Sequence, residues 1–185
     1  MEPSLERNNY IVDILTQDAA WKSVIPTIEE ICQATISLVL DEYGFADYAG
    51  QLDVSILLTD DEHIRKLNND YRNKDTATNV LSFPGEELSP DALNQLIDSH
   101  RKAPLMLGDI VIALQTIERE SSEQGKNIQH HFQHMIVHSV LHLLGYDHQS
   151  DTEEATMQKK EIAILEKLHV PNPYQDIISS CNACN

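Results

Sequence analysis

The chain has 185 residues, of which 41% are hydrophobic and 23% charged, an ordinary composition for one folded domain with its own core. No apolar run approaches the roughly 18 residues of a transmembrane helix. The start, MEPSLERNN, lacks the basic and apolar regions of a signal peptide. We therefore expect a cytoplasmic protein without membrane contact. The net charge of −17 excludes a broadly basic nucleic-acid-binding surface, so an RNA contact would require a local basic patch and a metal.

Three cysteines are present, and they fall into two groups. Cys32 lies on the apolar face of a predicted helix, where we expect an inert core thiol. Cys181 and Cys184 form a C-x2-C pair near the end of the sequence, but two ligands alone do not make a structural zinc site. We assign residues 1–170 to a single domain and residues 171–185 to a C-terminal tail.

Alternating apolar residues predict strands, and apolar stripes bounded by capping residues predict helices. Strands are expected at residues 10–15, 52–59, 79–83 and 105–113, with a bulge at Gly108. Helices are expected between residues 27 and 44, at 60–71, 89–100 and 114–123, in a histidine-rich segment that ends before Gly145, and at 150–168. This order predicts an α/β (α+β) layered fold, in which a small mixed four-stranded sheet is packed with helices. The histidine-rich helix is expected to lie on the sheet.

The segment from His134 to His148 reads HMIVHSVLHLLGYDH and contains the spacing H-x3-H-x5-H. Positions four apart share one face of a helix, so His138 and His142 can point at a common centre. Gly145 suits the end of a helix, and a chain that reverses there can bring His148 to the same centre. Three neutral imidazoles with an open fourth position are typical of a catalytic zinc site. We predict that these three histidines bind one Zn²⁺ per chain on a zincin-like helix.

Alternatives exist for these histidines, because a buried imidazole also finds partners in the backbone or in a carboxylate. A second triad would be His134, His138 and His142, but a straight helix rarely offers three ligands to one ion. We expect His134 to lie in the pocket behind the ligands. His130 and His142 cannot share a metal, since four-residue steps drift around the helix by about 40° each. Surface positions exposed to solvent are expected for His63, His100, His131 and His169.

A polar loop between the second predicted helix and the third strand carries Arg72 and Lys74. The loop is either a solvated connection or an anion-contacting segment beside the metal. The second interpretation rests on the ability of an arginine to hold a phosphate with two parallel N–H groups, and the sequence alone supports both interpretations equally.

The histidine spacing is also that of the metzincin proteases, H-E-x-x-H-x-x-G-x-x-H, and Gly145 coincides with their glycine. Those enzymes place the general-base Glu directly after the first histidine, where this chain has Ser139. Serine cannot perform the same proton transfer. The ligand set is therefore that of a zinc hydrolase without the peptidase base. Asp147, beside His148, either assists the reaction, orients a ligand histidine, or serves only as a turn residue.

Four motifs in a fixed order resemble the bacterial YbeY-type endoribonucleases, also called rRNA maturation factors. The motifs are L-N-x-x-Y-R-x-K-D at 67–75, T-N-V-L-S-F-P at 78–84, L-G-D-I at 107–110 and H-x-x-L-H-L-L-G-Y-D-H at 138–148. The resemblance runs from about residue 53 to residue 168. It implies that His138, His142 and His148 bind zinc and that Arg72 is the functionally important arginine.

The same resemblance implies metal-dependent cleavage of single-stranded RNA, with a role in maturing the 3′ end of small-subunit rRNA and in ribosome quality control. It also implies contact with the small ribosomal subunit and gives no reason to expect DNA as a partner. Two positions depart from the family. Ser139 replaces a glycine and is expected to add a side chain near the metal. Ala77 replaces a proline, which is expected to loosen the loop.

These observations favour a zinc-dependent endoribonuclease acting on rRNA, in which a metal-activated water attacks the phosphodiester and Arg72 steadies the phosphate charge. The same ligand spacing allows a zinc metallopeptidase, against which the missing Glu weighs. A third possibility is a non-catalytic, metal-stabilised assembly factor that binds the ribosome. The acidic composition and the missing general base support that third possibility.

Overall fold

The computed structural model describes residues 10–99 and 102–175, and all structural statements concern this part of the chain. Its strands are β1 (Tyr10–Thr16), β2 (Leu52–Thr59), β3 (Val80–Pro84) and β4 (Leu105–Ala113). Its helices are α1 (Ala20–Val24), α2 (Ile28–Glu42), α3 (Asp61–Arg72), α4 (Pro90–Asp98), α5 (Leu114–Glu123), α6 (Ile128–Leu143) and α7 (Asp151–Lys167), with a short 3-10 helix at Phe45–Asp47.

The four strands form one mixed sheet in the order β1-β2-β4-β3. Neighbouring strands run parallel from β1 through β2 to β4, and β3 runs antiparallel to β4 at the edge. The predicted α+β layered class and the mixed four-stranded sheet are confirmed. Each predicted element is found with its ends displaced by no more than one or two residues. The two elements that the sequence did not predict are the shortest helices, α1 and the 3-10 helix.

The predicted bulge at Gly108 is confirmed by the pairing of β2 with β4. Asp53 pairs with Met106 and Val54 with Gly108, so β4 contains one extra residue at this point. Gly108 has φ +142°, and a Cβ there would lie 2.3 Å from a backbone oxygen of β3. The glycine therefore allows the edge strand to approach β4 closely. That approach matters because β3 borders the cleft described below.

Helices cover both faces of the sheet, and α6 lies against the larger core. Trp21, Ile56, Phe132 and Leu141 belong to that core and are fully buried. A smaller cluster around Ile64 packs α3 against the opposite face. Helix α6 also contacts α2, α5 and α7, so it is enclosed on most sides, as its nearly continuous apolar sequence predicts. None of the described helices has the length and apolar character needed to cross a membrane.

The predicted core thiol is confirmed. Cys32 is fully buried in α2, and burial raises its pKa to about 12, so the thiol stays protonated and unreactive. The C-x2-C pair, Cys181 and Cys184, lies outside the described residues.

The packing beneath the histidine-rich helix yields a stability prediction. Phe132 is fully buried in α6 with its ring 5.2 Å from that of Trp21. Phe132→Ala should lower the free energy of unfolding by about 3–5 kcal/mol, because it leaves a cavity in the core. Chemical denaturation measures the change. Leu15→Ala, at a side chain that is 64% exposed, is the control and should change stability by no more than about 0.5 kcal/mol. Equal losses in both variants would contradict this description of the core.

Candidate metal centre

Helix α6 ends in a tight reversal that the sequence around Gly145 dictates. The Gly145 N–H donates to the His142 carbonyl and the Tyr146 N–H donates to the Leu141 carbonyl, both at 3.0 Å. This pair of bonds is the Schellman arrangement, in which the residue after the helix takes a left-handed conformation. Gly145 has φ +88°, as that arrangement requires. The chain therefore turns back on itself directly after the two helical histidines.

A second constraint excludes every residue other than glycine at position 145. A Cβ at this position would lie 2.2 Å from the backbone oxygen of Leu88, far inside van der Waals contact. The loop that precedes α4 therefore packs directly on the turn. This contact holds the chain on the path that leads to His148.

The reversal brings His138, His142 and His148 together. One ring nitrogen of each lies within 4.8 Å of those of the other two, and the Nε2 atoms of His138 and His142 are 3.1 Å apart. Among the described residues this is the only such cluster of three or more histidine, cysteine or acidic side chains. Three converging imidazole nitrogens are a donor set that suits a transition-metal ion. The cluster can therefore hold one metal ion, as the spacing predicted.

The protonation of His142 is suited to ligation. Burial, together with the neighbouring His138 and His148, lowers its pKa to about 4 against the opposing effect of Asp147. At neutral pH the ring is therefore uncharged. An uncharged imidazole has the free lone pair that a metal requires, so no proton needs to leave before binding.

A buried carboxylate lies directly behind the cluster, and the sequence reasoning missed it. Glu161 of α7 is 1% exposed, and its Oε1 is 2.7 Å from Nδ1 of His138. Its Oε2 accepts hydrogen bonds from Nε2 of His134, at 3.1 Å, and from the hydroxyl of Tyr174. One signal was available in the sequence. Glu161 is the charged member of a buried stripe on α7 whose other members are Met157, Ile164 and Leu165.

Glu161 remains ionised in this environment. Burial alone would raise its pKa, but hydrogen bonds from His134 and His138 outweigh that effect and lower the pKa to about 2. The carboxylate is thus an acceptor only, which makes Nδ1 of His138 the donor. The remaining ring nitrogen of His138, Nε2, then carries the lone pair that points toward His142.

The other histidines divide into two groups. His134 turns its Nε2 toward Glu161, so it lies behind the ligands as expected, and the triad within one helix does not form. The prediction for His131 was wrong, because α5 covers it: the side chain is 5% exposed, with Nε2 2.8 Å from Glu120. His169 is exposed as predicted and His63 is half-buried. His100 lies outside the described residues.

Arg72 borders the same cleft as the three histidines. It is the last residue of α3, it is exposed, and the cleft of about 530 Å³ extends from it to the histidine cluster. Within residues 10–99 and 102–175 its guanidinium has no hydrogen bond or ion pair, whereas Arg65 on the same helix is held by Asp75 at 2.7 Å. Lys74 does not line the cleft. Arg72 is thus available to an anion at the metal centre.

The loop after Arg72 is held in place without the family's proline. Asn68 is buried, and its side-chain Nδ2 donates to the backbone carbonyl of Thr76 at 2.8 Å. The backbone carbonyl of Asn68 accepts from the Lys74 N–H. Ala77 packs on the small core cluster beneath α3. These contacts fasten both ends of the segment that carries Ala77.

Ser139 lies in the core, whereas Asp147 lines the cleft from within a turn. Ser139 is fully buried and does not line the cleft, so the expectation of an extra side chain beside the metal was wrong. The carboxylate of Asp147 accepts from the His148 N–H at 2.8 Å and from Gln149 at 2.6 Å, which is the turn role. The bond from His148 lowers the pKa of Asp147 and keeps it ionised. No described contact joins Asp147 to a ligand imidazole.

An α+β domain that gathers three imidazoles at the end of a buried helix, in one cleft with an exposed arginine, has a site that could hold a metal ion and bind an anionic substrate. Comparison with known proteins narrows this class. Residues 15–169 match the family described as Endoribonuclease YbeY. The chain belongs to that family, which confirms the resemblance drawn from its four motifs.

Two relatives illustrate the similarity. The chain is 47% identical over 173 residues to the endoribonuclease YbeY of Rhodopseudomonas palustris, covering 90% of this chain and 83% of that one. It is 49% identical over 124 residues to the endoribonuclease YbeY of Magnetococcus marinus, covering 66% of this chain and 83% of that one. Among solved structures it is similar to TM1509 from Thermotoga maritima over 92% of this chain and 93% of that chain, with 21% identity and a TM-score of 0.48.

Two glycine positions allow a controlled test of the turn. Gly145 and Gly125 both have positive φ, but a Cβ at Gly125 would meet nothing within 4 Å. Both alanine variants should lose about 1 kcal/mol of stability from backbone strain. Gly145→Ala should lose more because of the contact with Leu88. It should also bind zinc about tenfold or more weakly, since His148 is displaced.

Denaturation gives the stabilities, and competition with a chromophoric chelator gives the zinc affinities of these two variants. Undiminished zinc binding by a folded Gly145→Ala protein would show that the turn does not place His148.

Proposed function

We propose that this protein is a zinc-dependent endoribonuclease that prefers single-stranded RNA and takes part in maturing the 3′ end of small-subunit rRNA and in ribosome quality control. One observation supports the chemistry above all others: a single cleft joins three converging imidazoles to an exposed arginine that has no ion pair among the described residues. The family name supports the activity, and in this proposal the histidine cluster holds the nucleophile while Arg72 binds the phosphate beside it.

Zinc is the proposed metal because the donor set consists of nitrogen alone. Imidazole suits zinc and its neighbours in the transition series, whereas magnesium and calcium prefer oxygen ligands. Three protein ligands leave a position for water, as in catalytic rather than structural zinc sites. When bound there, zinc would lower the pKa of its water to about 7 and so supply a nucleophile at neutral pH.

The side chains around the cleft have separate tasks in this proposal. Arg72 binds the scissile phosphate through two N–H groups and stabilises the charge that develops on its oxygens. Asn79 also lines the cleft, and Glu120 holds it in place with carboxylate oxygens 3.1 and 3.3 Å from the Nδ2 of Asn79. His142 enters the reaction uncharged. The polar edge formed by Thr78, Asn79 and Ser82 offers hydrogen bonds to the RNA backbone.

The net charge of −17 sets the kind of RNA contact that is possible. A strongly acidic protein gains no long-range attraction to a phosphate backbone, so affinity must come from the cleft itself or from a partner. We propose that the small ribosomal subunit is this partner and presents the rRNA to the cleft in the cytoplasm. DNA is not expected as a substrate.

Arg72 provides the sharpest test of the phosphate site. Arg72→Ala should slow RNA cleavage by about 10²–10³-fold, because one donor to the developing charge is lost. Zinc content should stay that of the wild type. Arg65→Ala is the matched control, since Arg65 lies on the same helix but is exposed and paired with Asp75. Single-turnover cleavage of a labelled single-stranded RNA measures the rates. Similar rates for the two variants would remove Arg72 from the mechanism.

The metallopeptidase alternative is tested on the same zinc-loaded sample with RNA and casein as substrates. The proposal requires RNA degradation that disappears in His142→Ala and no degradation of casein. Proteolysis that is lost with His142→Ala would replace the nuclease with a peptidase.

A non-catalytic assembly factor remains the other alternative, supported by the acidic composition and by the buried Ser139 in the position of the peptidase base. Cells that depend on His142→Ala or Arg72→Ala should accumulate small-subunit rRNA with an unprocessed 3′ end. Normal rRNA ends and normal ribosome binding in both variants would favour the assembly factor over the enzyme.

A further inference from the structure

Glu161 is the only buried carboxylate among the residues that the structure describes. Placing a charge in a protein interior is unfavourable unless partners compensate it, and an apolar residue would fill the same stripe of α7 without that cost. Stability alone therefore does not account for a charge at this position. Its partners connect it instead to the histidine cluster.

The hydrogen bond from His138 to Glu161 fixes the tautomer and the orientation of the His138 ring. Oε1 lies 2.7 Å from Nδ1 of His138, so the proton is held on Nδ1 and the lone pair on Nε2. The Nε2 atom is the one that lies 3.1 Å from Nε2 of His142. A carboxylate behind a ligand imidazole both orients the ring and makes it a stronger donor to a metal.

The second oxygen of the carboxylate has its own partners. Oε2 accepts from Nε2 of His134 and from the hydroxyl of Tyr174, so contacts at both oxygens fix the orientation of the carboxylate plane. Tyr174 also packs its ring 5.6 Å from that of His134. The chain at this point is fastened by Lys126, whose Nζ donates to the carbonyl of Pro173 at 2.8 Å. Residues 171–175, which the sequence assigns to a tail, thus reach the metal centre.

We propose that Glu161, held in place by Tyr174, is the positioning residue for the metal ligand His138, and that the segment after α7 is therefore part of the metal centre. The inference rests on the proposed metal site but not on the substrate. It assigns to Glu161 an effect on metal affinity, which is separable from any effect on folding.

The test uses zinc affinity measured on the full-length protein by competition with a chromophoric chelator. Glu161→Gln keeps the size of the side chain and removes its charge, and it should bind zinc about 10–100-fold more weakly. Tyr174→Phe removes one of the three hydrogen bonds to the carboxylate and should bind zinc about threefold to tenfold more weakly. The matched control is Glu154→Gln, an exposed carboxylate on the same helix that borders a cavity with His138, and its affinity should equal that of the wild type.

Two further measurements distinguish a role of Glu161 in orienting His138 from a role in stabilising the fold. Thermal unfolding of the metal-free variants reports any loss of stability, and the visible absorption bands of the cobalt-loaded proteins report the ligand geometry. We expect the cobalt bands of Glu161→Gln to shift, because the His138 ring is no longer fixed. A purely structural role would lower the unfolding temperature and leave both the bands and the affinity of the folded protein unchanged.

Zinc affinity of Glu161→Gln within twofold of the wild type would overturn the proposal, whatever its stability. If that variant does not fold, Tyr174→Phe decides: unchanged affinity overturns the proposal and weakened affinity supports it. Wild-type protein that binds no zinc would instead refute the metal site itself. Zinc binding and RNA cleavage by wild type, with unaltered affinity in the variants, would refute only this inference.

Discussion

The reversal of the chain at Gly145 is the constraint on which the proposed metal centre depends. A helix alone places two imidazoles, those of His138 and His142, side by side. The third must come from a segment that returns to the helix end, and the left-handed turn achieves this within a few residues. The backbone of Leu88 packs against the turn and leaves no room for a Cβ, so the return path is fixed from both sides.

The apolar packing of α6 gives this turn its rigidity. The helix is enclosed by the sheet and by three other helices, so the two helical ligands move only if the core moves. Three histidines of α6 have carboxylate partners on neighbouring helices. His131 contacts Glu120, and His134 and His138 contact Glu161. These bonds tie α6 to α5 and α7 and, through Glu120, to the Asn79 edge of the cleft.

Most of what the sequence could predict came from the periodicity of its apolar residues and the spacing of its histidines. The strands and the longer helices follow from local patterns of apolar residues, and the three histidines follow from helical geometry plus one glycine. Glu161 and Tyr174 lie 23 and 36 positions beyond His138, and no local pattern links them to it. Their contact depends on how α7 and the segment after it pack, which is a tertiary property. For the same reason the burial of His131 under α5 was missed.

The position of Ser139 was misjudged for a different reason. One residue along a helix turns the side chain by about 100°, so the neighbour of a ligand faces elsewhere. Helical geometry already implies this, and the structure places Ser139 in the core. The serine at this position therefore affects packing inside the domain and not the lining of the cleft.

The central claim is that His148 completes a metal site with His138 and His142. Metal content of tag-free protein, measured by mass spectrometry on the wild type and on His148→Ala, tests it most directly. The account predicts about one zinc ion per wild-type chain and a loss of zinc in the variant. Full zinc occupancy in His148→Ala would contradict it and would move the site to His134 or to the terminal cysteines.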